Sequence, residues 1–138
     1  MIPIFRPVIS KKAHKNVLNC LKTSWISSQG NFIIKFEKAL SNYHKMKYCV
    51  VTSSCTTALH LSILALNLKK NDEVICPALS FIAPANMVLL SNLKLVLVDI
   101  NPRTLAIDED KIEEKITKRT KAIIVVHQFG HSANMDKI

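Results

Sequence analysis

Between Tyr48 and Val126 the chain repeats one rhythm: a short continuous apolar run, a small-residue turn, and a segment of helical length. The apolar runs predict strands at Tyr48–Thr52, Glu73–Cys76, Leu95–Asp99 and Ala122–Val126, and the intervening segments predict helices over Thr57–Leu68, Ile82–Ser91 and Asp108–Ile116. A strand with one face in water alternates polar and apolar residues, whereas a strand covered on both faces reads as an unbroken apolar run. Unbroken runs joined by helices therefore define an α/β fold with a three-layer, mostly parallel sheet. Asn71-Asp72 and Asn101-Pro102-Arg103-Thr104 supply turns, and Asp108 is placed to cap the helix that follows it.

Ahead of this pattern lie two amphipathic segments, Lys11–Thr23 and Asn31–Tyr43, separated by the polar turn Ser24-Trp25-Ile26-Ser27-Ser28-Gln29-Gly30. The expected organisation is an N-terminal helical segment over residues 1–47 and an incomplete α/β domain over 48–138. With 138 residues, 49% of them hydrophobic, the chain has material for one real core. Met135-Asp136-Lys137-Ile138 reads as the opening turn of a further helix, so the sheet is expected to continue past it. Residues 1–10 hold two prolines and an arginine in place of an apolar stretch, and no segment approaches the roughly 18 apolar residues of a membrane span. The expectation is a soluble cytoplasmic protein.

The net charge of +9 raises the question of nucleic acid. Sixteen of the nineteen basic residues are lysines, dispersed without aromatic interleaving or a compact basic stripe, which argues against a dedicated nucleic-acid site. Cys20, Cys49, Cys55 and Cys76 form no CxxC pair, so a zinc ribbon or redox motif is unsupported and reduced thiols are expected.

Two turns carry the chemistry. Ser53-Ser54-Cys55-Thr56-Thr57-Ala58 leads from a strand into a long apolar helix, where the first backbone N–H groups lack intrahelical partners and favour an anion. The turn has neither the glycines and lysine of a P-loop nor a GxGxxG fingerprint, so phosphate binding and simple helix capping both fit it. Pro77-Ala78-Leu79-Ser80-Phe81 follows the next strand, where open α/β sheets bind ligands, and Phe81 is either a stacking platform for a planar group or a core residue. His60 reads as a packed histidine among leucines. His127 and His131 are four apart, but Gly130 between them argues against a helix and so against zinc ligation. Asp99 and Asp108–Asp110 read as turn and cap residues.

Taken together, these stretches resemble the N-terminal part of the DegT/DnrJ/EryC1/StrS family of pyridoxal-phosphate-dependent nucleotide-sugar aminotransferases. The resemblance rests on Ile2-Pro3, Ser24 to Gly30, Phe36-Glu37, Ser54 to Leu61, Asp72 to Ile75 and Ser80 to Asn86. It continues through Val98 to Ile100, Thr120 to Ile124, Val126 to His131 and Met135-Asp136. It implies the large domain of the aspartate aminotransferase type I fold. The backbone N–H groups of Thr56 and Thr57 would meet the phosphate of pyridoxal 5'-phosphate, Phe81 would stack on its ring, and Ser27, Ser28, Gln29 and Gly30 would contact a nucleotide-sugar substrate. Cys55-Thr56-Thr57 stands where the family more often has Gly-Thr-Ala. The opening Ser24 to Ser28 is similar to perosamine synthases, which aminate a GDP-linked 4-keto-6-deoxymannose with glutamate as amino donor, with Ser24 at a usual glycine.

In the family, the Schiff-base lysine and the aspartate that pairs with the pyridine nitrogen come from sequence beyond the part resembled here. No catalytic residue is therefore expected among these 138, and the chain is expected to be inactive alone. The complete enzyme would be a homodimer. The family also contains sugar 3-dehydratases that use the cofactor as a bound amine, and a non-catalytic remnant that binds a sugar nucleotide or a full-length homologue is a third expectation. The resemblance further implies that Tyr48–Thr52 belongs to a strand whose neighbours come later in sequence, leaving it unpaired and the chain poorly stable by itself.

Overall fold

A computed structural model describes residues 6–138, which fall into two compact units, one reaching Val51 and the other running from Thr52 to Ile138. The first is a pair of helices, α1 (Lys11–Lys22) and α2 (Asn31–Tyr43). Ser10 caps α1 by accepting the Ala13 N–H at 3.1 Å, and the Thr23 hydroxyl closes its far end on the Asn19 carbonyl at 2.9 Å. Gly30 precedes α2 and is buried; a Cβ there would lie 2.9 Å from Cδ1 of the Trp25 indole, so the absent side chain is what admits the ring.

The expected strand over Tyr48–Thr52 is not formed. These residues are irregular, Tyr48 and Val50 are exposed, and the Val51 N–H is taken by the Glu37 carboxylate at 3.0 Å. A strand needs a ladder partner, and among the described residues this segment has none.

The second unit contains α3 (Cys55–Ala65), β1 (Glu73–Pro77), α4 (Ala83–Leu90), β2 (Lys94–Val98) and β3 (Thr120–Ile123). The sheet order is β2-β1-β3 and every pairing is parallel. β1 is buried along its whole length, as the unbroken run of its sequence requires. Its side chains alternate between two cores. Val74 and Cys76 join Ile63 of α3, Val88 of α4 and Leu93 on one face, while Ile75 joins Val98, Ala106, Ile107, Ile112 and Ala133 on the other. Burial pushes the Cys76 thiol up to about 11, leaving it an inert core group.

The second core is covered by irregular chain. The single helix expected over Asp108–Ile116 is instead two 3₁₀ turns, Glu109–Lys111 and Glu113–Lys115. The Asp108 carboxylate accepts the Asp110 N–H at 3.3 Å, and this local bond competes with an α-helical start. Ile107 and Ile112 are the buried side chains here, too few for an apolar helical stripe. β3 also begins and ends earlier than the expected Ala122–Val126. The Ile124 N–H still reaches the Ile75 carbonyl at 2.8 Å, after which the chain leaves the sheet and turns through Phe129 and Gly130, both at positive φ.

Glu73 ties the three strands together at their amino ends. Its carboxylate is almost fully buried and accepts from Arg119 Nη2 at 2.8 Å, Lys94 Nζ at 3.1 Å and Thr117 Oγ1 at 2.5 Å. The Thr117 hydroxyl foremost, then the Arg119 and Lys94 donors, bring its pKa from an ordinary 4.5 down to about 2.

Candidate functional site

At the opposite, carboxyl ends of the strands, three segments enclose a cavity of about 420 Å³. The start of α3 contributes Cys55, Thr56 and Leu59, the turn after β1 contributes Ser80 and Phe81, and the chain after β3 contributes Ile124 to His127. This is where a parallel sheet leaves helix N-termini and loops free to hold a ligand. Phe81 is 85% exposed, so it is a surface platform and not a core residue, and it also borders a neighbouring cavity of about 250 Å³.

The start of α3 is a capping box. Ser54 Oγ accepts the Thr57 N–H at 3.2 Å, and Thr57 Oγ1 accepts the Ser54 N–H at 3.1 Å. The structure thus separates the two expected phosphate donors. Thr56 lines the cavity, whereas the Thr57 N–H is engaged by Ser54 and its side chain lies outside the lining. Among the described residues no hydrogen bond engages the N–H groups of Cys55 and Thr56, and these two are the available donors. The Ser54-x-x-Thr57 spacing that forms this capping box was visible in sequence.

Two further polar groups acquire a defined setting only in the structure. His127 Nδ1 accepts the Ala133 N–H at 3.1 Å, which puts the proton of its neutral ring on Nε2. Ser80 Oγ is closed off from solvent and, among the described residues, has no hydrogen-bond partner. The sequence raised His127 only as a rejected metal partner of His131 and gave Ser80 no role of its own, because both settings depend on how distant segments meet. Among the described residues no cluster of three or more His, Cys, Asp or Glu forms a metal site.

In the first unit, Ser27 and Gly30 line a separate cavity of about 590 Å³ with Trp25, Ile26, Asn19 and Lys35 among its walls. Ser28 and Gln29 do not line it; the Gln29 N–H folds back on Ser27 Oγ at 3.4 Å. The four expected substrate residues therefore occupy one turn, and two of them face its cavity.

Comparison with known proteins matches residues 7–138 to the DegT/DnrJ/EryC1/StrS aminotransferase family. A GDP-perosamine synthase of Caulobacter vibrioides is 44% identical over 137 residues, covering 99% of this chain and 37% of that protein. The crystal structure of Bacillus subtilis NtdA with bound cofactor PMP superposes with a TM-score of 0.84 at 42% identity, over 94% of this chain and 30% of the other. An Escherichia coli GDP-4-keto-6-deoxy-D-mannose-3-dehydratase with bound hydrated PLP superposes with a TM-score of 0.88 at 31% identity, over 98% and 36%. The fold is thus part of the PLP-dependent aminotransferase fold, and the chain belongs to the DegT/DnrJ/EryC1/StrS aminotransferase family. It spans about a third of the length of these relatives. Among the described residues no helix is long and apolar enough to cross a membrane.

Proposed function

We propose that this chain supplies the cofactor-cradling part of a pyridoxal-phosphate-dependent aminotransferase that transfers the amino group of glutamate to a 4-keto-6-deoxy sugar nucleotide, for surface polysaccharide synthesis. The observation that carries the reading is the cavity at the strand ends, which joins two unengaged helix N–H groups to an exposed aromatic platform. When bound, pyridoxal 5'-phosphate supplies the electron sink for amino transfer. The N–H groups of Cys55 and Thr56 hold its phosphate, and the Thr57 N–H joins them when the Ser54 hydroxyl rotates away. Phe81 lies against the ring, and the walls formed by Leu59 and Ile124 to Val126 keep water from it. Ser27, Ser28, Gln29 and Gly30 belong to the nucleotide-sugar side. The lysine and aspartate of the family's chemistry lie in the length the relatives have beyond this match, so the chain alone is inactive. The working enzyme is a cytoplasmic homodimer with no role for nucleic acid or a membrane.

A 3-dehydratase of the same family is the second reading, favoured by the likeness to the E. coli dehydratase. Joining this chain in frame to the remaining two thirds of the Caulobacter synthase, and supplying glutamate with GDP-4-keto-6-deoxymannose, tests the proposal. Amino-sugar nucleotide is the expected product, with none from the 138 residues alone. A joined protein that folds and binds sugar nucleotide yet takes up no cofactor would defeat the reading, as would transfer by the isolated chain.

A further inference from the structure

Ser80 follows the turn after β1 and lines both cavities that meet at Phe81. Its hydroxyl is sealed from solvent and, among the described residues, unpartnered. Folded proteins leave few buried hydroxyls without a partner, since each forfeits its hydrogen bonds to water, so the group calls for a physical reason. A serine oxygen moves on a single torsion with three staggered wells, and rotation about χ1 alone carries it to the cavities its own residue borders. The larger cavity is otherwise walled mainly by hydrocarbon: Leu59, Ala83, Pro84, Ile124, Val125 and Val126. Besides Ser80, the side chains there with a nitrogen or oxygen are Thr56 and His127, so a polar ring substituent of a flat ligand seated on Phe81 meets hydrocarbon over most of the wall.

We propose that Ser80 is a ring-positioning residue, whose hydroxyl swings out of its buried position to hydrogen-bond a ring-borne oxygen of the planar ligand stacked on Phe81. Adjacency in the chain assigns it to the ring and not to the phosphate. Ser80 is the immediate neighbour of the stacking residue, whereas the unengaged N–H donors belong to the start of α3. The inference rests on the cofactor reading of this cavity. Binding relieves an unsatisfied hydroxyl and an unsatisfied ring substituent together, so the pair fixes the rotation of the ring on its platform.

The test uses the full 138-residue chain and pyridoxine 5'-phosphate, which carries the ring hydroxyl and the phosphate but no aldehyde, and so forms no imine with the sixteen lysines. Ser80→Ala is expected to bind it about tenfold more weakly than wild type, the size of one hydrogen bond with relief of a buried orphan. Ser80→Thr, which keeps the hydroxyl, restores most of the affinity, and inorganic phosphate binds all three alike. The ligand-free Ser80→Ala chain melts at or above the wild-type temperature, because the substitution removes an unpartnered polar atom; a merely structural serine would lower that temperature and leave affinity unchanged. Equal affinity of Ser80→Ala and wild type for pyridoxine 5'-phosphate overturns the inference, as does an equal loss of inorganic phosphate binding. A wild-type chain that binds phosphate but not pyridoxine 5'-phosphate overturns the cofactor reading itself, and this inference with it.

Discussion

Cys55→Pro tests the proposed phosphate cradle with little disturbance to the helix that forms it. Cys55 is the first residue of α3, the position where proline's fixed φ suits a helix and its missing N–H is an intrahelical orphan in any case. The residue before a proline must be extended, and Ser54 already is, with φ −160° and ψ 163°. The substitution therefore deletes one N–H that has no partner among the described residues, and the free chain should keep its stability or gain a few tenths of a kcal/mol from a stiffer unfolded state. A hydrogen bond to a charged acceptor is worth roughly 1.5–3 kcal/mol. Taking about 2 kcal/mol, affinity for a phosphorylated ligand falls by about 30-fold. Isothermal titration with inorganic phosphate and with pyridoxine 5'-phosphate should show comparable losses for both. Cys55→Ala, which removes the thiol and keeps the N–H, should bind as wild type does. Ser54→Ala should behave oppositely: it frees the Thr57 N–H for the ligand, so affinity holds or improves, while loss of the cap costs about 1 kcal/mol of stability. If Cys55→Pro binds as well as wild type, or if Cys55→Ala loses as much, the backbone of this turn does not hold the phosphate.

Three further outcomes follow from the packing. Glu73 has its carboxyl held at about 2 against an ordinary 4.5, so its ionised form contributes stability above pH 4.5 that is lost as pH falls towards 2. Glu73→Gln should flatten that part of the denaturation-midpoint profile, leaving a smaller acid slope from Asp99, whose pKa is lowered by the Ile100 N–H and then by Lys111; an unchanged profile would remove Glu73 from the account. Ile75→Ala on the fully buried central strand should cost about 3 kcal/mol in urea denaturation, and a cost under about 1 kcal/mol would mean the second core is not close-packed. Leu61, Leu64, Leu89, Leu90 and Val50 are each half or more exposed, so the isolated chain should self-associate at micromolar concentration in light scattering; a monodisperse monomer would contradict this.

What the sequence made legible was the part of the fold decided by local pattern. α2 falls on its expected residues, and β1, β2 and α4 lie within a residue or two of theirs, because an unbroken apolar run bounded by Asn, Asp and Pro leaves few alternatives. The departures come where an element depends on something outside itself. Residues 48–52 have strand composition and no partner, so Glu37 takes the Val51 N–H. Residues 108–116 can form helix, but an aspartate bonding its own backbone and the need to bury Ile107 and Ile112 draw them into 3₁₀ turns.

The same division runs through the site. The positions of Phe81 and Thr56 were readable because strand-turn-helix order delivers them to the sheet's carboxyl end whatever the distant packing does. The settings of Ser80 and His127 were not, since an orphaned hydroxyl and a tautomer fixed by the Ala133 N–H exist only once three segments have met. Thr57 lies between these cases. Its neighbours in sequence determine both that it sits beside the cavity proposed to hold a phosphate and that Ser54 occupies its N–H. A phosphate must therefore displace a protein hydroxyl to use that donor, while it meets Cys55 and Thr56 without competition. The cradle should accordingly engage in two stages of unequal strength. Cys55→Pro weakens the uncontested stage and Ser54→Ala removes the competition from the other, so opposite effects of the two substitutions on one ligand would distinguish this arrangement from a helix cap that binds nothing.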